Sequence, residues 1–242
     1  MALRDKEDST DIRKDPAAAT TGQSGTPFLS AVVTCFVLSG FAALLYQTAW
    51  LRQFSLVFGT SELAVATVLA AYMGGLALGA SIAGRYAGKV QRPILVYGLL
   101  EAGIALSALA VPLLLMGARA IYASTLGGLP SPPDAAAVGQ PVFYLLVAFV
   151  VLAIPTSFMG ATLPLLIRYA VRTDREVGPK VALLYATNTG GAVFGTLFAA
   201  FILLPRLGLN GTVWVGVAVN GLVFVIAALL AKRASGSVSY TQ

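Results

Sequence analysis

The chain has 242 residues, of which 57% are hydrophobic and 11% charged, with a formal net charge of +6. A soluble domain carries roughly 25% charged residues, so this composition excludes a water-soluble globule for most of the chain. There is no histidine and one cysteine, which removes the commonest metal and haem ligand and any intrachain disulfide.

The first 27 residues, "MALRDKEDSTDIRKDPAAATTGQSGTP", are polar and mixed in charge. They contain no apolar run of the kind a secretory signal needs, and they read as a mobile tail that cannot bury a core. Six apolar spans follow. A bilayer core about 30 Å thick requires about 20 apolar residues per helix. Phe28–Leu51, Leu63–Gly84, Pro141–Ile167, Val181–Pro205 and Leu207–Ala231 meet that length without a charge. The third span, Pro93–Met116, is interrupted by one carboxylate, Glu101. The sequence therefore predicts an all-α integral membrane protein, a six-helix bundle over 28–231 between a tail at 1–27 and a short tail at 232–242.

Basic residues set the orientation. With the N-terminus inside, thirteen of the sixteen lysines and arginines fall in the two tails, the turn around Arg85–Arg92 and the segment Arg168–Lys180, leaving Arg52, Arg119 and Arg206 outside. The positive-inside rule then puts both termini in the cytoplasm, as in a bacterial inner-membrane protein. No basic surface interleaved with exposed aromatics is visible, so the positive charge is a topology signal and nucleic acid is not an expected partner.

Small and polar residues mark faces that meet protein. In the second span Gly75 and Gly79 lie on one helical face with Tyr72 and Ala83. In the fifth, Gly191 and Gly195 lie with Tyr185 and Asn188. Lipid tails offer no hydrophobic contrast between helices, so membrane helices associate through close backbone contact and interhelical hydrogen bonds. Both glycine pairs are read as helix-packing faces, one of them left for a partner if six helices do not bury both. Pro155, Gly160 and Pro164 in the fourth span predict a kink or break. The 117–140 connection reads as irregular, with room for a short surface helix.

Glu101 is the sharpest signal. An ionised acid at the centre of a membrane helix costs roughly 2.5 kcal/mol or more, and no basic residue lies mid-span to neutralise it. The expectation is a neutral carboxyl facing the bundle interior. Its candidate partners are Tyr97, one turn earlier on the same face, together with Gln47, Asn188, Thr189 and Tyr185. Two readings stay open, a hydrogen-bond clamp between helices and a proton relay or site for a small cation or amine. No group of residues suggests a metal, a cofactor or a catalytic nucleophile with its base.

Several motifs occur in one order: "LSGFAALLYQTAWLRQFSLVFGTSELAVATVLAAYMGGLALGASIAGRYAGKVQRP", "YGLLEAGIAL", "PTSFMGATLPLL" and "LLYATNTGGAVFGTLFAAFILLPRLGLNGT". Together they resemble the membrane domain of the integral-membrane spermidine synthase-like proteins, over about residues 28–231. The pattern is matched at Tyr46, Trp50, Arg52, Gly84, Arg85, Glu101, Gly160 to Pro164, Tyr185, Asn188 and Gly191. It departs at Gln47, where that family usually has an acid. In that family the membrane domain is usually followed by a soluble aminopropyltransferase, and the 242 residues here contain no such domain. The resemblance thus implies no aminopropyl transfer by this chain. The stretch "GGLALGASIAGRYAGKVQRP" also resembles the turn between the second and third helices of major-facilitator transporters, which would make six helices half of one. The expected function is a non-catalytic membrane subunit or anchor that packs against other membrane-protein subunits or a soluble partner. The alternative is a transport or channelling module for a small amine or lipid, centred on Glu101 and Asn188.

Overall fold

The structure, a computed structural model, describes residues 26–58, 61–125, 136–171 and 173–236. Helices account for nearly all of them, and no strand occurs among the described residues. The helices are α1 (Thr26–Phe58), α2 (Glu62–Tyr86), α3 (Pro93–Thr125), α4 (Ala136–Ala170), α5 (Asp174–Phe198) and α6 (Leu204–Gly236). A single 3₁₀ turn, Ala87–Lys89, follows α2, and a π-helical turn, Ala199–Leu203, joins α5 to α6. Five helical stretches are long and apolar enough to cross a membrane, the last being the continuous run Asp174–Arg233.

Local chemistry explains the helix starts. Ser61 accepts a hydrogen bond from the Ala64 amide at 3.2 Å and caps α2. Asp174 and Glu176 occupy the first turn of α5, where the helix dipole favours acids. Lys180 reaches back to the Ala170 carbonyl at 2.6 Å and pairs with Glu176 at 2.9 Å, tying the end of α4 to the start of α5.

Three expectations need correction. The connection predicted as irregular over 117–140 is helical up to Thr125 and again from Ala136, and only 126–135 lie outside the described residues. An apolar-run criterion stops at Arg119, but an exposed arginine at a helix end does not end the helix, because its long stem reaches the polar side of the interface. Arg52 likewise lies within α1, and Lys232 to Gly236 extend α6. Of the kink or break expected in the fourth span, the break is absent: α4 runs as continuous helix through Pro155, Gly160 and Pro164. The Thr156 and Thr162 hydroxyls donate to the Leu152 and Met159 carbonyls at 2.6 and 2.7 Å, so both polar side chains are satisfied within the helix. The rest of the N-terminal tail, 1–25, and residues 237–242 lie outside the described residues.

The glycine faces show how the helices are joined. A β-carbon at Gly191 or Gly195 would collide with the carbonyl oxygen of Val37 or Phe41 on α1, and one at Gly40 would collide with the Asn188 carbonyl on α5. On the other side of the bundle, Gly75 and Gly79 lie against Thr156 and the Ser157 carbonyl of α4, while Gly160 lies against the Leu76 carbonyl of α2. Both glycine faces are therefore consumed within the chain, and the expectation that one is left for a partner is overturned. Such close approach lets Cα–H groups face carbonyl oxygens across the crossing.

These contacts also fix directions. Numbers rise together along α1 and α5, through Val37 with Gly191 and Phe41 with Gly195, so the two are parallel. They rise together along α1 and α3, where the Tyr97 hydroxyl donates to the Cys35 carbonyl and Glu101 lies against Ser39. They oppose along α3 and α6, where Gly98 meets Ala227 and Glu101 meets Asn220. It follows that α5 and α6 run antiparallel, although helical assignment is continuous between them. The reversal falls at Gly208, whose φ of 67° and ψ of −171° are the one non-helical pair in the stretch, a conformation essentially reserved for glycine.

The first three and last three helices follow one pairing scheme. α1 lies on α5 as α4 lies on α2, α1 meets α6 as α4 meets α3, and α3 meets α6. Exchanging α1 with α4, α2 with α5 and α3 with α6 leaves the scheme unchanged. "GGLALG" at Gly74–Gly79 corresponds to "GGAVFG" at Gly190–Gly195. The same displacement along the chain that relates Gly75 to Gly191 and Gly79 to Gly195 also relates their contacts Val37 to Ala153 and Phe41 to Ser157. The halves are thus two related three-helix units.

Candidate functional site: a buried carboxyl between the two halves

The core consists of two apolar clusters. One gathers Tyr46, Trp50, Phe54, Tyr72, Ile104 and Leu152, and the other gathers Phe36, Tyr97, Leu166, Leu184 and Val223. On α1, α3 and α6 the clusters are separated by the same polar layer, Ser39, Glu101 and Asn220, all three buried. Glu101 is 0% exposed. The Asn220 side-chain amide donates to its Oε2, and the Ser39 and Tyr97 hydroxyls lie against the same carboxyl. Each side chain arrives by helix register: Tyr97 and Glu101 are one turn apart on α3, and Ser39 and Asn220 come from the helices flanking it.

A second set of polar atoms continues along α1. Ser39, Tyr46, Trp50 and Gln53 are spaced by seven, four and three residues, which keeps them on one helix face. Tyr46 and Trp50 stack at 5.1 Å between ring centroids, and Tyr72 leans on Trp50 at 6.5 Å. Gly216 makes room for the Tyr46 ring, because a β-carbon there would sit 2.6 Å from its Cε1. Gly216 is one turn before Asn220, so the Tyr46 ring neighbours the carboxyl layer. The Tyr72 hydroxyl donates to the Ala43 carbonyl at 3.0 Å. Glu101 Oε1, Asn220 Oδ1, Tyr46 Oη, Trp50 Nε1 and Gln53 Oε1 are buried polar atoms without a hydrogen-bond partner among the described residues.

The expected partners are sorted as follows. Tyr97 joins Glu101. Gln47 is half-buried on α1, eight residues beyond Ser39 and so about 12 Å further along the axis, away from the carboxyl. Asn188 lies against Gly40 of α1. Since Ser39 faces Glu101 and Gly40 faces Asn188, the two polar side chains occupy one level but different faces of α1. Tyr185 is 62% exposed and Thr189 is exposed, both on the outward side of α5. The expectation that Glu101 lies near Gln47 or Asn188 is therefore corrected: its partners from other helices are Asn220 and Ser39. A signal for Asn220 existed, an amide inside the otherwise apolar "VWVGVAVNGLVFV". For Ser39 there was none, because a small hydroxyl is common in membrane helices.

Chemically, the layer offers a carboxyl with one amide donor, two neighbouring hydroxyls and acceptor atoms to spare. Among the described residues no three His, Cys, Asp or Glu side chains gather as metal ligands. The single thiol, Cys35, is buried in the apolar cluster beside Tyr97. The arrangement can hold helices together through hydrogen bonds and can exchange a proton at Glu101. No protein-family model, curated protein or solved structure matches the chain.

Proposed function

We propose that the chain is a non-catalytic integral membrane module that crosses the bilayer six times and works as one rigid body within a larger assembly, the organisation of half of a major-facilitator-like transporter. The observation that carries this is the interlocked pairing of the two three-helix units. Every close crossing, α1 with α5, α2 with α4 and α3 with α6, joins a helix of the first unit to one of the second. Three helices per unit put the second unit upside down relative to the first, the inverted repeat found in many transporters. Interlocking on this scale leaves no hinge inside the six helices, so large motion is available only against another body.

The crossing count follows from length and direction. The run Asp174–Arg233 has 60 residues, about 90 Å of helix at 1.5 Å per residue, against a hydrocarbon core about 30 Å thick. The antiparallel course of α5 and α6 supports two crossings with the turn at Gly208. Both termini then lie on the side of the basic turn Arg85–Arg92, the cytoplasm by the positive-inside rule. The motifs resembling the spermidine synthase-like proteins fall in the part of that family without transfer chemistry, which fits a module of this kind.

The transport reading gains one observation, the spare acceptors of Glu101 and Asn220. On that reading, any amine- or proton-binding step would involve these two residues rather than Glu101 with Asn188. Native mass spectrometry of the chain released from membranes in lipid nanodiscs tests the assembly. A dimer, or a stoichiometric complex with a second membrane protein, is the expected result. A lone monomer at endogenous expression would refute the proposal.

A further inference from the structure

Between α2, α3 and α4, close to the turn Ala87–Lys89, the surface opens into a groove of about 290 Å³. Ile82, Ala83 and Tyr86 of α2, Val96 of α3, and Phe158 and Ala161 of α4 line it, and Ile82 and Tyr86 are half-exposed at its rim. The lining is almost wholly apolar, and its length runs from the turn into the membrane-spanning part of the three helices. Three cations stand at the turn end. Arg85, Lys89 and Arg92 are exposed, and among the described residues no carboxylate pairs with them. The Lys89 ammonium lies 5.6 Å from the centre of the Tyr86 ring, which ties one cation directly to the groove wall. α3 begins at Pro93, so the positive end of its dipole lies at the same turn.

We propose that this groove binds an anionic phospholipid, with one acyl chain along Ala83, Val96 and Ala161 and the phosphate headgroup on Arg85, Lys89 and Arg92. The two ends of the site match the two ends of such a molecule. An apolar channel beside lipid accepts a hydrocarbon chain at no desolvation cost. Three unpaired cations at the membrane surface attract an anionic headgroup, each contributing appreciably near the bilayer interface. A zwitterionic lipid would satisfy the channel but not the charges, and a soluble phosphate would satisfy the charges but leave the channel to bulk lipid. The proposal depends only on the chain lying in a bilayer with this turn at the surface, not on the six-crossing assembly, so a monomer could fail the assembly test and still bind lipid here.

The test is native mass spectrometry of the full chain titrated with phosphatidylglycerol or phosphatidylcholine of equal chain length. The unaltered chain should retain one phosphatidylglycerol at least tenfold more tightly than phosphatidylcholine. The triple variant Arg85→Gln, Lys89→Gln, Arg92→Gln should lose that preference. Ala161→Phe, which fills the channel, should weaken phosphatidylglycerol by a similar factor with the cations intact. If Ala161→Phe lowers the melting temperature, Ala83→Leu serves as the second filling variant. Equal retention of the two lipids by the unaltered chain would overturn the proposal, as would full binding in both filling variants. Displacement of the bound lipid by millimolar glycerol phosphate would overturn it too, because it would mean the channel contributes nothing.

Discussion

Asn220 donates its side-chain amide to Glu101 Oε2 with both residues buried, and this bond joins α6 to α3 across the two three-helix units. Ser39 and Tyr97 lie against the same carboxyl. Glu101→Gln keeps a hydrogen-bonding group of similar shape and should leave stability nearly unchanged. Glu101→Leu should cost about 1–2 kcal/mol, the scale of the stronger interhelical hydrogen bonds in membranes. Asn220→Leu should cost a similar amount, and the double leucine variant less than the two together, because the second change no longer breaks a bond. Unfolding in mixed micelles, followed by circular dichroism, gives the four values. Additive losses would show that the two side chains do not interact.

The internal glycine contacts make a second, sharper prediction. Gly191→Ala and Gly79→Ala drive a β-carbon into a facing carbonyl, Val37 on α1 and Ser157 on α4 respectively. Each should destabilise the chain by about 1–3 kcal/mol, the usual cost of overpacking. Gly190→Ala and Gly84→Ala, one position from a packed glycine or one turn beyond it, meet nothing within 4 Å and should be neutral or slightly stabilising, since alanine is the better helix former. Thermal unfolding of the four variants decides. Equal effects at packed and open glycines would contradict the crossing geometry.

Much of this fold could be read in advance, and the failures have physical causes. Apolar runs of membrane length located the helices, and small residues four apart located the glycine faces, because in lipid both signals are set by the helix itself. Gly208 lies two residues past Arg206, where the sequence divides the last two spans. Partnership between distant helices is not a local signal. Tyr97 could be placed beside Glu101 by register within one helix, whereas Asn220 could be joined to it only by the antiparallel packing of α3 and α6. Tyr185 and Asn188 share a face with Gly191 and Gly195, yet only the narrow centre of that face meets α1, and Tyr185 at its edge is exposed. Arg52 ended one predicted span and Arg119 lies just beyond the end of another at Met116, yet both fall inside helices, because a helix longer than the bilayer is thick can protrude or tilt.

Topology is tested directly by cysteine labelling on a Cys35→Ser background, Cys35 being the single native cysteine. A membrane-impermeant maleimide added to intact cells should label Ser131→Cys and should fail to label Gly88→Cys until the membrane is permeabilised. Thirteen of sixteen basic residues on the cytoplasmic side underlie that expectation. Labelling at Gly88→Cys in intact cells, with none at Ser131→Cys, would invert the orientation.

The reversal between α5 and α6 rests on one backbone position. Gly208 has φ 67° and ψ −171°, the single positive φ among the described residues, and a β-carbon there would meet nothing within 4 Å. Any penalty for Gly208→Ala is therefore a penalty of backbone conformation rather than of crowding. A side chain held in that region costs about 1–3 kcal/mol. If the helix instead straightened through position 208, α6 would lose its antiparallel seat on α3, and with it the Asn220–Glu101 bond and the contact of Ala227 with Gly98. Gly221→Ala is the control, for its β-carbon also meets nothing within 4 Å but its backbone is helical, so alanine should be neutral or mildly favourable. Gly208→Ala should thus lower stability by more than 1 kcal/mol and Gly221→Ala should not. Measured in the same micelles, equal stabilities for the two variants would mean that the chain does not turn at Gly208, and the case for separate fifth and sixth crossings would fall with it.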